Sequence, residues 1–347
     1  MTRVNPMKVA FSIGLWLCLM LGLIVFYWWQ WLNTAHVIAP MQRYFVVEKG
    51  ESLQSVSRRL YDADLIRWPK IWLLYARFYD SEPIKQGEYN FSDIESPAGI
   101  LDKLQSDDVI TYDVTLIEGK SFKELVAHLS DKPKLVSRLA GAAYEIQLEL
   151  LGLNISHPEG WFFPDTYQYI AGDSDLSILK RAHKKMRAVL EREWQARSPG
   201  LPYQSPYEAL IMASIVEKET GLASERGDIA GVFVRRLQNG MRLQTDPTVI
   251  YGMGELYQGN ITRADLKTPT PYNTYVINGL PPTPIAMPSA EAIRASLNPA
   301  DGEALYFVAR GDGSHVFSSS LEAHNKAVRQ YQIEKRATQY RSAPSSN

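Results

Sequence analysis

The chain is poor in cysteine and in net charge, and each shortage removes a class of function. Cys18 is the only cysteine in 347 residues, and it lies in an apolar run, so the folded part has no material for an intrachain disulfide, a cysteine zinc cluster or a catalytic thiol. Lys and Arg number 37 against 38 Asp and Glu, a net charge of -1, whereas a nucleic-acid binder carries a strong basic excess. His315 and His324 lack the spacing of metal ligands and read as structural, and nothing calls for a metal or cofactor. What remains is ordinary globular material, 45% apolar and 22% charged, which excludes wholesale disorder and fibrous repeats. The 19 Tyr and 8 Trp suit stacking on a ligand as well as packing in a core. The length suggests about two domains.

From Val9 to Leu32 run 24 residues without a formal charge, with Tyr27, Trp28, Trp29 and Trp31 at one end. As a helix this run is about 36 Å long, enough to cross a hydrocarbon core of about 30 Å. The apolar part of a cleaved signal peptide is shorter, about 7–15 residues, and no clear pair of small residues follows this one. Lipidation at Cys18 is opposed by the bulk of Leu17. Arg3 and Lys8 precede the run and no acid does, so the expectation is a single signal anchor with the N-terminus cytoplasmic and the rest outside. Beyond the anchor 35 basic residues face 38 acidic ones, which argues against adhesion through a polybasic face.

Residues 46–60, VVEKGESLQSVSRRL, align with residues 115–129, TLIEGKSFKELVAHL. Gly50 meets Gly119, Ser52 meets Ser121, Leu53 meets Phe122, Val56 meets Leu125 and Leu60 meets Leu129. Each copy reads as a short strand, a glycine turn and a serine-capped helix. The first copy resembles a LysM module, through Val47, Gly50, Ser52, Leu53, Val56, Leu60 and Ile66, which implies affinity for N-acetylglucosamine polymers; a packing domain without sugar affinity fits the same residues. A strand at Gly87–Phe91 and a helix from Ser96 to Leu104 follow.

The second half carries the chemistry. After EGWFFPDTY (159–167), Asp173 or Ser174 can cap a long helix whose Lys180, Arg181, Lys184 and Lys185 form a solvated face. The next helix, from about Pro206 to Gly221, places Ile211, Ile215 and Glu219 four residues apart, so Glu219 continues an apolar stripe into the last turn. The helix dipole and desolvation both disfavour an ionised carboxyl there and raise its pKa, as a general acid requires. Glu217 leaves the helix about 200° away and is the poorer acid. A further helix spans about Asp228 to Asn239; from Gly240 to about Pro299 periodicity disappears. Asp246 before Pro247 fits the start of a short helix, with Asp as its cap. A stretch this rich in Gln, Asn, Thr, Tyr and Pro is too long for an idle connection, and Gln244, Asp246, Tyr272, Asn273 and Tyr275 are the substrate-binding candidates. A hairpin from LYFVA (305–309) and HVFS (315–318), a last helix and a polar tail complete the chain.

Together, EGWFFPDTY, ASIVEKET, RLQTDPTVIYG, PYNTY, GLPPTPI and the terminus from FS to EAHN resemble the endolytic murein transglycosylases of the YceG-like family over about residues 45–330. The resemblance implies an α+β fold: cytoplasmic tail 1–8, transmembrane helix 9–32, linker 33–43, LysM-like subdomain 44–105, catalytic domain 106–335 and polar tail 336–347. It implies cleavage of the β-1,4 bond between N-acetylmuramic acid and N-acetylglucosamine inside glycan strands, leaving 1,6-anhydro ends, at an inner or plasma membrane. The family's catalytic glutamate, in the KET part of the motif, falls on Glu219. Peptidoglycan strands and the membrane are the implied partners, with peptidoglycan synthases as further candidates. Two competing expectations stand beside this one: a non-catalytic peptidoglycan-binding scaffold, favoured if Glu219 is exposed and dispensable, and a hydrolase pairing Glu219 with Glu159 or Asp246.

Overall fold

The computed structural model describes residues 6–79, 82–91 and 96–334, so residues 1–5 of the expected tail and the polar tail 336–347 lie outside the described residues. Helices and strands are mixed throughout, and the chain forms two compact units.

The first unit comprises the residues up to Asp113 together with Gln168–Asp173. Helix α1 (Pro6–Asn33) is long and apolar enough over Ala10–Asn33 to cross a membrane. Its last turn belongs to the unit's core: Leu32 is buried with Phe45, Val56, Leu60, Trp72 and Tyr89. Strand β1 (Tyr44–Val47) alternates, burying Phe45 and Val47. Gly50, at φ +75°, turns the chain into α2 (Leu53–Asp62), where the Ser52 hydroxyl accepts the Ser55 N–H at 3.2 Å. Val56 and Leu60 of α2 are fully buried, Leu53 only partly. After α3 (Pro69–Phe78), β2 (Gly87–Asn90) pairs antiparallel with β1, Phe45 opposite Tyr89. Helix α4 (Pro97–Gln105) is capped by Ser96 and takes the Trp72 indole N–H on the Pro97 carbonyl at 2.8 Å. Strand β3 (Thr111–Thr115) leads into the second unit, Val114–Tyr167 and everything from Ser174 on.

There α5 (Phe122–Ser130) begins with a capping box between Ser121 and Glu124, after Gly119 at φ +70°. Both copies of the repeat therefore form the expected turn, cap and helix. The likeness ends there, because β3 pairs not with a counterpart of β2 but with β4 (Thr166–Ile170), which follows α6 (Tyr144–Leu151). Ser174 caps α7 (Asp175–Gln195), whose four expected cations are exposed.

Helices α7, α8 (Pro206–Glu219), α9 (Arg226–Gln238) and α11 (Ala290–Leu297) build the second core, against which α10 (Asp246–Met253) packs Tyr251. Residues 209–216 of α8 are all buried, so the expected one-sided stripe is a helix enclosed on every side. The loss of periodicity before Pro299 hid α11, which buries Ala292, Ile293, Ala295, Ser296 and Leu297 and exposes Glu291 and Arg294 but has only eight residues in which to show a period. The hairpin forms as expected from β5 (Tyr306–Ala309) and β6 (His315–Ser318), followed by α12 (Leu321–Val328). His315 is structural, its Nδ1 2.7 Å from Glu225.

Candidate active site

Glu219 is the last residue of α8, where the helix's unpaired carbonyls concentrate negative charge. Its carboxyl is partly buried and accepts the hydroxyl of Thr245. Burial pushes it up to about 7, opposed by the Thr245 hydroxyl and reinforced by the negative charge of Asp246. At neutral pH this carboxyl is thus poised between proton donor and proton acceptor.

Neighbouring loops dock on α8. The Ser214 hydroxyl accepts the Ile285 N–H at 3.0 Å, docking the GLPPTPI segment on the helix. Gly160 of EGWFFPDTY lies under the same segment at φ +80°, where a Cβ would stand 2.6 Å from Pro284. The Lys218 ammonium donates to the Gly119 carbonyl at 3.2 Å. Glu217 faces away from this site. Its side chain is 4% exposed and accepts both the N–H and the hydroxyl of Ser289, the cap of α11, with Arg226 at 3.6 Å.

The RLQTDPT and PYNTY segments meet through buried threonines. The Thr245 N–H donates to Thr274 Oγ1 at 3.0 Å, and the Thr248 and Thr274 hydroxyls lie 2.8 Å apart. Of the expected lining residues, Asp246 and Tyr275 come together: the exposed Asp246 carboxylate accepts the Tyr275 hydroxyl at 2.7 Å. Asp246 is not the helix cap. It is the first helical residue, the cap position is Thr245, and that hydroxyl is turned to Glu219. Gln244 is exposed, in the left-handed region at φ +55°, and accepts the Arg236 guanidinium. Asn273 does not line an open surface. It is 1% exposed, its amide donates to the carbonyls of Asp265, Leu266 and Thr268, and its oxygen accepts the Tyr275 N–H. Tyr272 is tied to Thr283 at 2.9 Å and packs edge-on against Tyr251 with ring centres 4.8 Å apart.

Thr245 and Arg236 were not singled out from sequence. The signal for Thr245 was its place inside RLQTDPT; Arg236 sits among ordinary surface-type residues of α9 and gave none. Arg236 is 6% exposed and also donates to the carbonyls of Arg242 and Leu305.

A second perturbed carboxyl lies elsewhere in the unit. Burial pushes Glu159 up to about 7, against hydrogen bonds from the Tyr251 hydroxyl at 3.0 Å and the Phe122 N–H at 2.8 Å. It borders a cavity of about 550 Å³ that Tyr144, Gln147, His157 and Tyr251 also line and that Glu219 does not reach. Both of its oxygens hold the scaffold together. Among the described residues no cluster of His, Cys, Asp and Glu could hold a metal ion.

The chain is 30% identical over 303 residues to the endolytic murein transglycosylase of Bacillus subtilis, covering 82% of this chain and 83% of that protein. It is 29% identical over 322 residues to the endolytic murein transglycosylase of Streptococcus pneumoniae R6, again over 82% of this chain but only 57% of that longer protein. Among solved structures, a YceG-like protein of Listeria monocytogenes superposes with a TM-score of 0.51 at 30% identity, covering 82% of this chain and 98% of that one. The model of the YceG-like family matches residues 45–330, which takes in the first unit after α1, most of the second and the whole of the site around Glu219, and the chain belongs to that family.

Proposed function

We propose that this protein is a membrane-anchored endolytic murein transglycosylase that cleaves the β-1,4 bond between N-acetylmuramic acid and N-acetylglucosamine within glycan strands. The observation that carries the reading is the Glu219 carboxyl, raised to about 7 at the end of a buried helix, and the names of the relatives support it. Protonated Glu219 gives its proton to the bridging oxygen as the bond to the anomeric carbon breaks. Negative Asp246 nearby and the sugar's own N-acetyl group offset the positive charge that develops there. Glu219, now a carboxylate, takes the proton of the 6-hydroxyl, whose oxygen closes onto the anomeric carbon. The product is a 1,6-anhydro ring, no water is consumed, and Glu219 ends protonated as it began. Gln244, Tyr272 and Tyr275 supply amide, hydroxyl and ring surfaces for the strand.

In this reading α1 is the anchor, with the N-terminus cytoplasmic and both units outside, and residues 44–105 form a LysM-like module that holds the strand. The enzyme then releases nascent strands, with peptidoglycan synthases as candidate partners. A scaffold role requires an exposed, dispensable Glu219, and its partly buried carboxyl disfavours it. A hydrolase using Glu159 is disfavoured because Glu159 is 3% exposed and both its oxygens are engaged.

Mass spectrometry of the products from purified sacculi tests the reading: 1,6-anhydromuramyl ends are expected, and reducing ends in their place overturn it in favour of hydrolysis. Glu219→Gln should lower the rate by about 10²–10⁴-fold or more, since one group serves both half-reactions. Near-normal turnover by that variant removes Glu219 from the chemistry.

A further inference from the structure

Helix α3 carries its apolar residues on two sides. At about 100° per residue, Trp72 and Ala76 point into the core of the first unit, while Ile71, Leu74, Tyr75 and Phe78 form a second stripe of about 100°, whose half-buried Tyr75 also packs against that core. Ile71 and Tyr75 are half-buried, and the rest of the stripe is open: Leu74 is 50% exposed, Phe78 82% and the following Tyr79 49%. The cations Lys70 and Arg77 flank it on one edge, both exposed. An exposed apolar stripe on a helix marks a contact surface, and helices lying in a membrane interface carry such a stripe with basic residues along the rim.

The stripe's neighbour is α1. Val25, Trp28 and Trp29 of α1 and Ile71, Leu74 and Phe78 of α3 line one open groove of about 500 Å³. The two helices are joined firmly at this end, with Trp68, just before α3, packed on Trp31 at 5.0 Å and on Tyr27 at 5.7 Å between ring centres. Depth follows from length. The charge-free run starts at Val9, and the residues from there to Trp28 rise about 30 Å, the thickness of a hydrocarbon core. Trp28 and Trp29 therefore stand at the level where hydrocarbon gives way to headgroups, and the stripe of α3 lies beside them.

We propose that α3 is an interfacial helix whose outer stripe is buried among the phospholipids of the leaflet where α1 emerges, with Lys70 and Arg77 extended toward the headgroup phosphates. The inference rests on the reading that α1 spans a membrane and adds a second contact to it. The first unit is then seated on the lipid surface in one orientation.

The test uses the full chain in nanodiscs of phosphatidylethanolamine and phosphatidylglycerol. A nitroxide is attached to Cys18 in the native sequence and, in a Cys18→Ser background, to Leu74→Cys, Phe78→Cys or Arg77→Cys. Collision with oxygen, which concentrates in lipid, is compared with collision with a water-soluble nickel chelate. Oxygen should dominate at positions 18, 74 and 78, and the nickel chelate at 77. Nickel access at 74 and 78 equal to that at 77, with position 18 still protected, overturns the inference and leaves the anchor standing. Nickel access at 18 overturns the anchor, and the inference with it.

Discussion

Replacing Glu219 by Gln should make the protein more stable at alkaline pH and change little in acid. A rise from the ordinary 4.5 to about 7 on folding corresponds to about 3 kcal/mol of differential interaction between the protonated and ionised forms. The folded state holds this proton more tightly than the unfolded state. The contribution is therefore fully present below about pH 4.5, where the group is neutral in both states, and is lost as pH rises through about 7. A glutamine does not titrate, and its oxygen can still accept the Thr245 hydroxyl. The stability difference, variant minus parent, should be within about 1 kcal/mol of zero near pH 4.5 and should climb by about 3 kcal/mol by pH 8.5. Urea unfolding of both full chains in the same detergent across that pH range measures it. Other titrating groups, Glu159 among them, cancel in the difference. A difference that stays flat with pH would mean that Glu219 is not desolvated in the folded state, and the account of its acidity would go with it.

The remaining expectations concern the residues around it. Glu217→Gln should cost about 1–3 kcal/mol, because Ser289 loses a charged acceptor, yet leave activity per folded molecule near that of the parent; a folded but inactive variant contradicts the assignment of roles. If protonated Glu219 is the acid, kcat/KM falls as pH rises through about 7. Thr245→Val removes the donor that holds the carboxyl down, so this fall should move to higher pH at a stability cost of about 1 kcal/mol, and an unmoved profile argues against the contact. Gly160→Ala forces a Cβ against Pro284 at a positive φ and should destabilise by about 1–3 kcal/mol in thermal unfolding; a neutral outcome means that the GLPPTPI segment is free to shift.

How much was legible in the sequence depended on whether an element has two different faces and enough residues to repeat them. The capped helices at Ser52, Ser121 and Ser174 and the hairpin at 306–318 show caps, turns or alternation, and they form where those signals place them. Helix α11 has only eight residues, so its exposed Glu291 and Arg294 were too few to set a period against the irregular stretch before it. In the site, Glu219 stood out because a carboxyl continues an apolar run, which is a chemical contradiction visible in one dimension. Asn273 misled because an amide in a polar loop reads equally as a ligand for sugar or as a clasp for backbone, and three nearby carbonyls had already taken its donors. The partnership of Thr245 with Glu219 spans 26 residues of chain and is set by how two loops close, which no local pattern encodes.

The first unit is completed by residues that come long after it in the chain. Gln168–Asp173 belong to it, with Tyr169 stacked on Tyr112 at 5.5 Å and the Gln86 amide donating to the Ala171 carbonyl at 3.2 Å. During synthesis the residues up to Asp113 emerge first, yet they lack their last strand until more than fifty further residues, the opening stretch of the second unit, have followed. The early unit must wait with an unfilled edge, a state in which unpaired strands are prone to mispairing. A truncation that stops after residue 113, or a graft of that segment onto another protein, would carry the same gap permanently unless a peptide equivalent to 168–173 were supplied.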